Sequence, residues 1–472
     1  MRAYGLAEMI PLLRAALIAL AILVPPAFGQ QRSLTTFGQS PQSVAGPNLR
    51  QVYEDAKSYD AQYAAARDAL QAGLEKLPQG RALLLPTIDI NPSQTGATST
   101  RVDFNFRDTP TPSILRDVHS YGYQLRLSQP IFRVSNSLQY NQAEYQVKQA
   151  EATFGQAAQD LILRVAQAYF DLLAAQDNLV LVKAQKASIA EQLAQAKRNF
   201  EVGTATITDT HEAQARYDLV GAQEIVADNA VETKQRELQL ISGKLYPAIK
   251  PLRPGVKHEP PNPARMQDWV ELAENQGFPV LAQDAVTEVA ALEARRAAAA
   301  HLPTVDLVGS YGTQVSSGST AIAAFGATRT TAGVFGVQVG IPIYSGGALM
   351  SKEREAAALY EKAKQDQKNV RRSQALAARQ NYLLVVNGIS TTAALEQAVI
   401  SSRSAYESNK LGYEVGVRIN IDVLNAEQQV YSTSRDLLVA RYGTIMNHFK
   451  LKSTVGSLSE ADLEVVNRAL EP

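Results

Sequence analysis

YEVGVRINID, from Tyr413 to Asp422, is the stretch on which the reading of this chain turns, together with an earlier near-copy, FEVGTATITD, from Phe200 to Asp209. Each copy ends a long run of helical periodicity with a Val-Gly pair. Each then opens a new helical run within a few residues. Glycine supplies the left-handed backbone that stops a helix without steric cost. Both copies therefore predict tight reversals between antiparallel helices, and the chain around them repeats one plan twice.

The run before the first copy sets the scale. From Phe154, apolar positions step by four and three through Ala158, Leu161, Val165, Ala168, Leu172, Ala175, Leu179 and Val182, then Ile189, Leu193, Ala196 and Phe200, interrupted at Lys186. This heptad seam has the period of a left-handed supercoil. A second seam, one residue later, runs through Ile162, Ala166, Tyr169, Leu173, Val180, Ala187, Ala190 and Ala194. Two adjacent seams let one helix pack against two neighbours, as a ring of helices requires. The spacing predicts helices over about 134–202 and 208–242, and in the second half over about 348–415 and 421–452. At 1.5 Å per residue the longer two reach about 100 Å, too long for a compact domain.

Strands precede each long helix. Tyr121, Tyr123, Leu125, Leu127 and Ile131 share one face, and Gly122, Gln124, Arg126 and Ser128 the other, which is the period-two signature of an amphipathic strand. Leu302-Pro303-Thr304-Val305-Asp306-Leu307 nearly copies Leu85-Pro86-Thr87-Ile88-Asp89-Ile90, and Phe335, Val337, Val339, Ile341 and Ile343 again face one way. Four strands are expected, over about 85–107, 118–132, 302–316 and 333–344. The polar faces, with Gln124, Arg126, Asp306 and Gln338, should line water. The apolar faces should meet lipid, with Tyr121, Tyr123, Tyr311 and Phe335 as interfacial aromatics.

The remaining divisions follow from composition. Arg2 and Arg14 precede the apolar run Ala15–Val24, and Ala27-Phe28-Gly29 forms a small-x-small site, so residues 1–29 read as a secretory signal. Residues 30–48 read as a mobile segment, 49–244 as the first repeat (opening with a helix from Leu49 to Leu77), and the Pro-rich 245–278 as a connector. Residues 279–460 make the second repeat, opening with a helix over about 279–300, and 461–472 a tail. No uninterrupted apolar run near eighteen residues follows Val24, so insertion in a membrane would use strands. Lys+Arg and Asp+Glu both number 46, which gives no bulk charge for nucleic acid. The absence of cysteine excludes thiolate metal sites, redox motifs and a lipidated N-terminal cysteine.

Four strands cannot close a barrel, and an open sheet with an apolar face cannot persist in lipid. Several copies must share one barrel, and three copies would supply twelve strands. In order and spacing, the LPTID and HLPTVD strand openings, the P-I-F and P-I-Y strand ends at Pro130 and Pro342, the AQAYFDLLAAQDNL helix and the two Val-Gly turns resemble the TolC family of outer-membrane efflux and export channels over nearly all of the mature chain. The resemblance implies an α+β membrane protein: a homotrimeric 12-stranded outer-membrane β-barrel, four strands per chain, continued by a long periplasmic α-helical barrel. It implies an exit duct of a tripartite efflux or type I secretion system, gated at its periplasmic end. The partners implied are a periplasmic adaptor (membrane fusion) protein and an inner-membrane pump or ABC exporter. No cofactor is implied.

Carried over by position, the gate latch comprises Thr208, Asp209, Tyr413 and Arg418, with Asp209 accepting from the Tyr413 hydroxyl and Arg418 bridging to Thr208 or Asp209. Thr206 and Asp209 also fit a capping box, so Asp209 has a purely structural role open to it. Gln192 matches a latch glutamine whose expected glutamate falls at Lys410. Asp422 matches a pore-mouth acidic ring, with Asn425 at the second ring position. Val202, Gly203, Thr204, Val415, Gly416 and Val417 match adaptor-docking turns. An enzyme is disfavoured: His211-Glu212 begins a zinc-protease-like string, but the second histidine position is Ala215. A periplasmic coiled-coil adaptor or stalk would explain the heptads but not the duplicated strands.

Overall fold

The computed structural model describes residues 46–102, 105–106, 109–110, 114–253, 255–256, 259–317 and 327–470. The expected signal and most of the 30–48 segment lie outside them. Helices α1 (Leu49–Tyr59), α2 (Ala61–Leu74) and α3 (Lys76–Ala82) lead into strands β1 (Thr87–Val102) and β2 (Ile114–Phe132), then α4 (Val134–Glu201) and α5 (Ile207–Ser242). The second half runs α6 (Met266–Gln276), α7 (Phe278–Ala299), β3 (Thr304–Ser317), β4 (Ala327–Gly340), α8 (Ala348–Glu414), α9 (Asn420–Thr454) and α10 (Glu460–Asn467). With 68 and 67 residues, α4 and α8 each extend about 100 Å.

The four strands form one antiparallel sheet in the order β1-β2-β3-β4, so β1 and β4 are its edges within the chain. Register carries the alternation across all four strands. Ile88, Leu127, Gly309 and Phe335 make one row, and Ile90, Leu125, Tyr311 and Gly333 the next. Phe335 is 73% exposed and Tyr121, Tyr123, Ile88 and Val337 are also exposed, so the apolar face has no cover among the described residues. Glycine lets the pleat close up on the opposite face: a Cβ on Gly122 would sit 2.4 Å from the Thr313 carbonyl oxygen.

Asp306 departs from the expected water-lining role. It is buried, and Arg133 grips it with Nε to Oδ1 at 2.7 Å and Nη2 to Oδ2 at 2.6 Å. Arg133 is the N-cap residue of α4, so this forked pair ties β3 to the base of the long helix. The fourth strand also stops short of the expected 344, ending at Gly340. Pro342, two residues on, has no N–H to give a ladder.

The main core forms where several helices meet α4. Leu161, Val165, Tyr169, Phe170 and Leu172 pack there with Leu49 and Val52 of α1 and with Tyr442 and Phe449 of α9. Nearer the turns the two seams of α4 separate. Ile189, Leu193 and Ala196 of the first stay buried, whereas Val180 of the second is 66% exposed. Leu376 and Leu383 of α8, and Ile225 and Val226 of α5, are likewise uncovered. One 18-residue stretch of α8 is apolar enough to span a membrane by length and composition, which a search for uninterrupted apolar runs does not detect.

Three further expectations change. The first helix is not continuous to Leu77: Asp60 breaks it, capping α2 through Tyr63 N at 2.7 Å while pairing with Arg164. The 245–278 connector contains α6, whose Trp269, Val270 and Ala273 bury against α8 in a second core. The 461–472 tail instead holds most of α10, where Ser459 and Asp462 make a capping box and Leu463 is buried. Glu460 accepts there from Lys57 at 2.6 Å and Tyr53 at 3.1 Å.

Candidate functional site

The two turns are built alike. In the first, Thr204 N donates to Asn199 O at 2.8 Å and Gly203 N to Phe200 O at 3.0 Å. In the second, Val417 N donates to Gly412 O at 2.8 Å and Gly416 N to Tyr413 O at 3.1 Å. With Gly203 at φ +81° and Gly416 at φ +78°, each is a Schellman reversal that satisfies the last carbonyls of a long helix. Val202, Val415, Val417 and Ile419 are exposed, so each turn presents apolar side chains at its tip.

Beyond the glycines the copies diverge. Thr206 caps α5, and Asp209 Oδ2 accepts from Thr206 N and from Thr206 Oγ1, both at 2.9 Å. At the equivalent positions of α9 stand Ile419, which offers no side-chain cap, and Asp422, which pairs with Arg418 at 3.7 Å. The Arg418 stem crosses Gly412 so closely that a Cβ there would lie 2.8 Å from Cγ.

The expected latch contacts are therefore not made within the chain. Asp209 is held by its own helix start, where a contact across three residues costs little chain entropy. The Tyr413 hydroxyl instead accepts from Asn199 Nδ2 at 3.5 Å. Arg418 turns to Asp422 rather than to Thr208 or Asp209. Asn425 accepts from Arg216 Nη2 at 2.8 Å, and Arg216 also donates to Gln428. That places a cation beside the expected second ring position.

Gln192 turns to a different partner from Lys410. Its Nε2 donates to Glu427 Oε2 at 2.5 Å, joining α4 to α9. Glu427 is only 2% exposed, and burial pushes its carboxyl above the usual range, opposed by Ser188, Gln192 and the charge of Lys410. The link at Gln192 thus persists with its carboxylate moved to another helix. Glu427, Asn199 and Arg216 escape the sequence reading. A carboxylate in step with the buried Val423 and Val430 was the available signal for Glu427.

An open sheet with an uncovered apolar face, carried at the base of two long helical hairpins, is built for a membrane rather than for water. The Outer membrane efflux protein family matches residues 52–244 and 269–457, and the chain belongs to that family. It is 33% identical to Outer membrane protein TolC of Vibrio cholerae over 91% of this chain and 95% of that protein. It is 32% identical to the Alkaline protease secretion protein AprF of Pseudomonas aeruginosa, over 88% of this chain and 85% of the relative. The fold matches the outer membrane protein VceC of Vibrio cholerae with a TM-score of 0.71 at 19% identity, covering 86% of this chain and 96% of that one. The protein is an outer-membrane exit duct of the efflux and type I secretion kind, with a large periplasmic helical part. The homologues are channel proteins, not enzymes.

Proposed function

We propose that three copies close a single twelve-stranded barrel and that the long hairpins continue it as a periplasmic tube. The observation that carries this is the sheet itself. Its β1 and β4 edges have no strand partner among the described residues, and its apolar face is exposed there. Lipid offers no partner for edge N–H and C=O groups, so the edges must pair with sibling copies. The uncovered part of the second α4 seam, at Val180 and Ala187, and the exposed Ile225 and Leu383 supply matching helical contacts between copies.

In this reading an inner-membrane pump or ABC exporter loads the duct through a periplasmic adaptor that docks on Val202-Gly203-Thr204 and Val415-Gly416-Val417. The turns form the gated end. Thr208, Asp209, Tyr413 and Arg418 lie within a few residues of them and can exchange their local bonds for contacts between hairpins. Asp422 and Asn425 line the mouth, where Arg418 and Arg216 offset its acidity. Tyr413→Phe with Arg418→Ser removes both latch donors, so single-channel conductance in planar bilayers should rise several-fold. Unchanged conductance would show that these groups hold nothing shut.

A further inference from the structure

Glu427 and Gln192 leave two buried atoms without partners. Glu427 Oε1 and Gln192 Oε1 are both acceptors, and both belong to the same α4–α9 contact. A buried acceptor with no donor has lost its hydration without replacement, and one donor placed between the two orphans would serve both. Adding a donor to the protein side chains would take a substitution. Adding one proton does not. A neutral carboxyl both donates and accepts, and an acid facing an amide can form a paired bond with one hydrogen bond in each direction.

We propose that Glu427 is a proton-binding site, and that its neutral carboxyl and the Gln192 amide form a pH-sensitive clasp between α4 and α9. The ligand is a proton, taken up from the periplasmic solution. The position suits a switch. Glu427 lies seven residues after Asn420, which opens α9 and whose Nδ2 donates to Asp209 O at 3.4 Å, so the clasp sits about two turns of helix into α9.

The surrounding charges give the clasp its sign. From α4, Gln192 donates to Oε2, Ser188 favours the charged form and Glu191 opposes it; from α8, Lys410 attracts it. Tyr431 lies one turn on along α9 and feels Glu427, together with Tyr406 and Arg403 of α8. From α5, Arg216 reaches the neighbouring Asn425 and Gln428. Burial outweighs the attractive groups, so the folded clasp holds its proton above the ordinary carboxylate range. Its contribution is complete at acidic pH and is lost as pH rises through that raised value.

This inference rests on the duct reading for its consequence but not for its chemistry, and two measurements keep them apart. Infrared spectra of the purified full-length assembly should show a protonated-carboxyl C=O band that disappears as pH rises and is absent from Glu427→Gln. In planar bilayers, wild-type open probability should climb over the same pH range. Glu427→Gln, which keeps donor and acceptor without titrating, should stay low and flat. Lys410→Met removes the cation that favours the charged form, so both midpoints should move to higher pH. A wild type with no such band, or a Glu427→Gln channel as pH-dependent as wild type, overturns the proposal. If the band behaves as stated but no variant conducts, the proton site stands and the duct reading fails.

Discussion

Asp209 and Asp422 occupy the same position in two copies of one segment, yet they do different work. A threonine three residues earlier turns Asp209 inward to its helix start; an isoleucine leaves Asp422 free for Arg418. Thr206→Ala should therefore cost about 1 kcal/mol at α5 alone, read as faster amide exchange in its first turn. Ile419→Thr should slow exchange at the start of α9, because it supplies the missing cap. Asp60 tests charge rather than capping. It caps α2 and takes both Nη1 and Nη2 of Arg164, at 2.8 and 2.9 Å, which holds its carboxyl below the usual range. A depressed value means the stabilisation is present above the unfolded pKa and is lost as pH falls through the folded one. Asp60→Asn should cost about 3 kcal/mol at neutral pH in chemical unfolding, with the difference from wild type shrinking in acid.

At the level of elements, periodicity reported what was periodic. The long helices and the strand alternation stand out in the sequence because α4 keeps one stripe for dozens of residues and β2 alternates face by face. What escaped was short or set by distant partners. In α6, Trp269, Val270 and Ala273 hide behind a Pro-rich flank, and the Arg133–Asp306 pair joins residues far apart in the chain. The latch partners escaped for the same reason: side chains near a turn choose among several donors, and no spacing rule ranks them. The turns themselves were legible because only glycine tolerates their backbone. Gly203→Ala or Gly416→Ala should each cost about 1 kcal/mol, since an L side chain at positive φ is strained whatever space surrounds it. Neither Cβ would meet an atom within 4 Å, so the cost should appear as local fraying of the hairpin tip in amide exchange rather than as global unfolding.

For the whole molecule, the question is what covers an apolar face that the described residues leave open. Water would drive such a sheet to aggregate through its edges, whereas a bilayer accepts the face and demands that the edges close. The two environments respond oppositely to a single charge. Phe335→Lys puts an ammonium on the uncovered face, at a cost of about 2–4 kcal/mol if that row lies near the bilayer midplane, and three sibling copies would multiply it. Gln124→Lys puts the same charge on the opposite face of the sheet, where a water-filled lumen would tolerate it. The first variant should lose the heat-modifiable trimer from outer-membrane fractions, and the second should keep it. Were both to assemble equally well, the Phe335 face would not be meeting lipid, and the shared barrel would have to be abandoned.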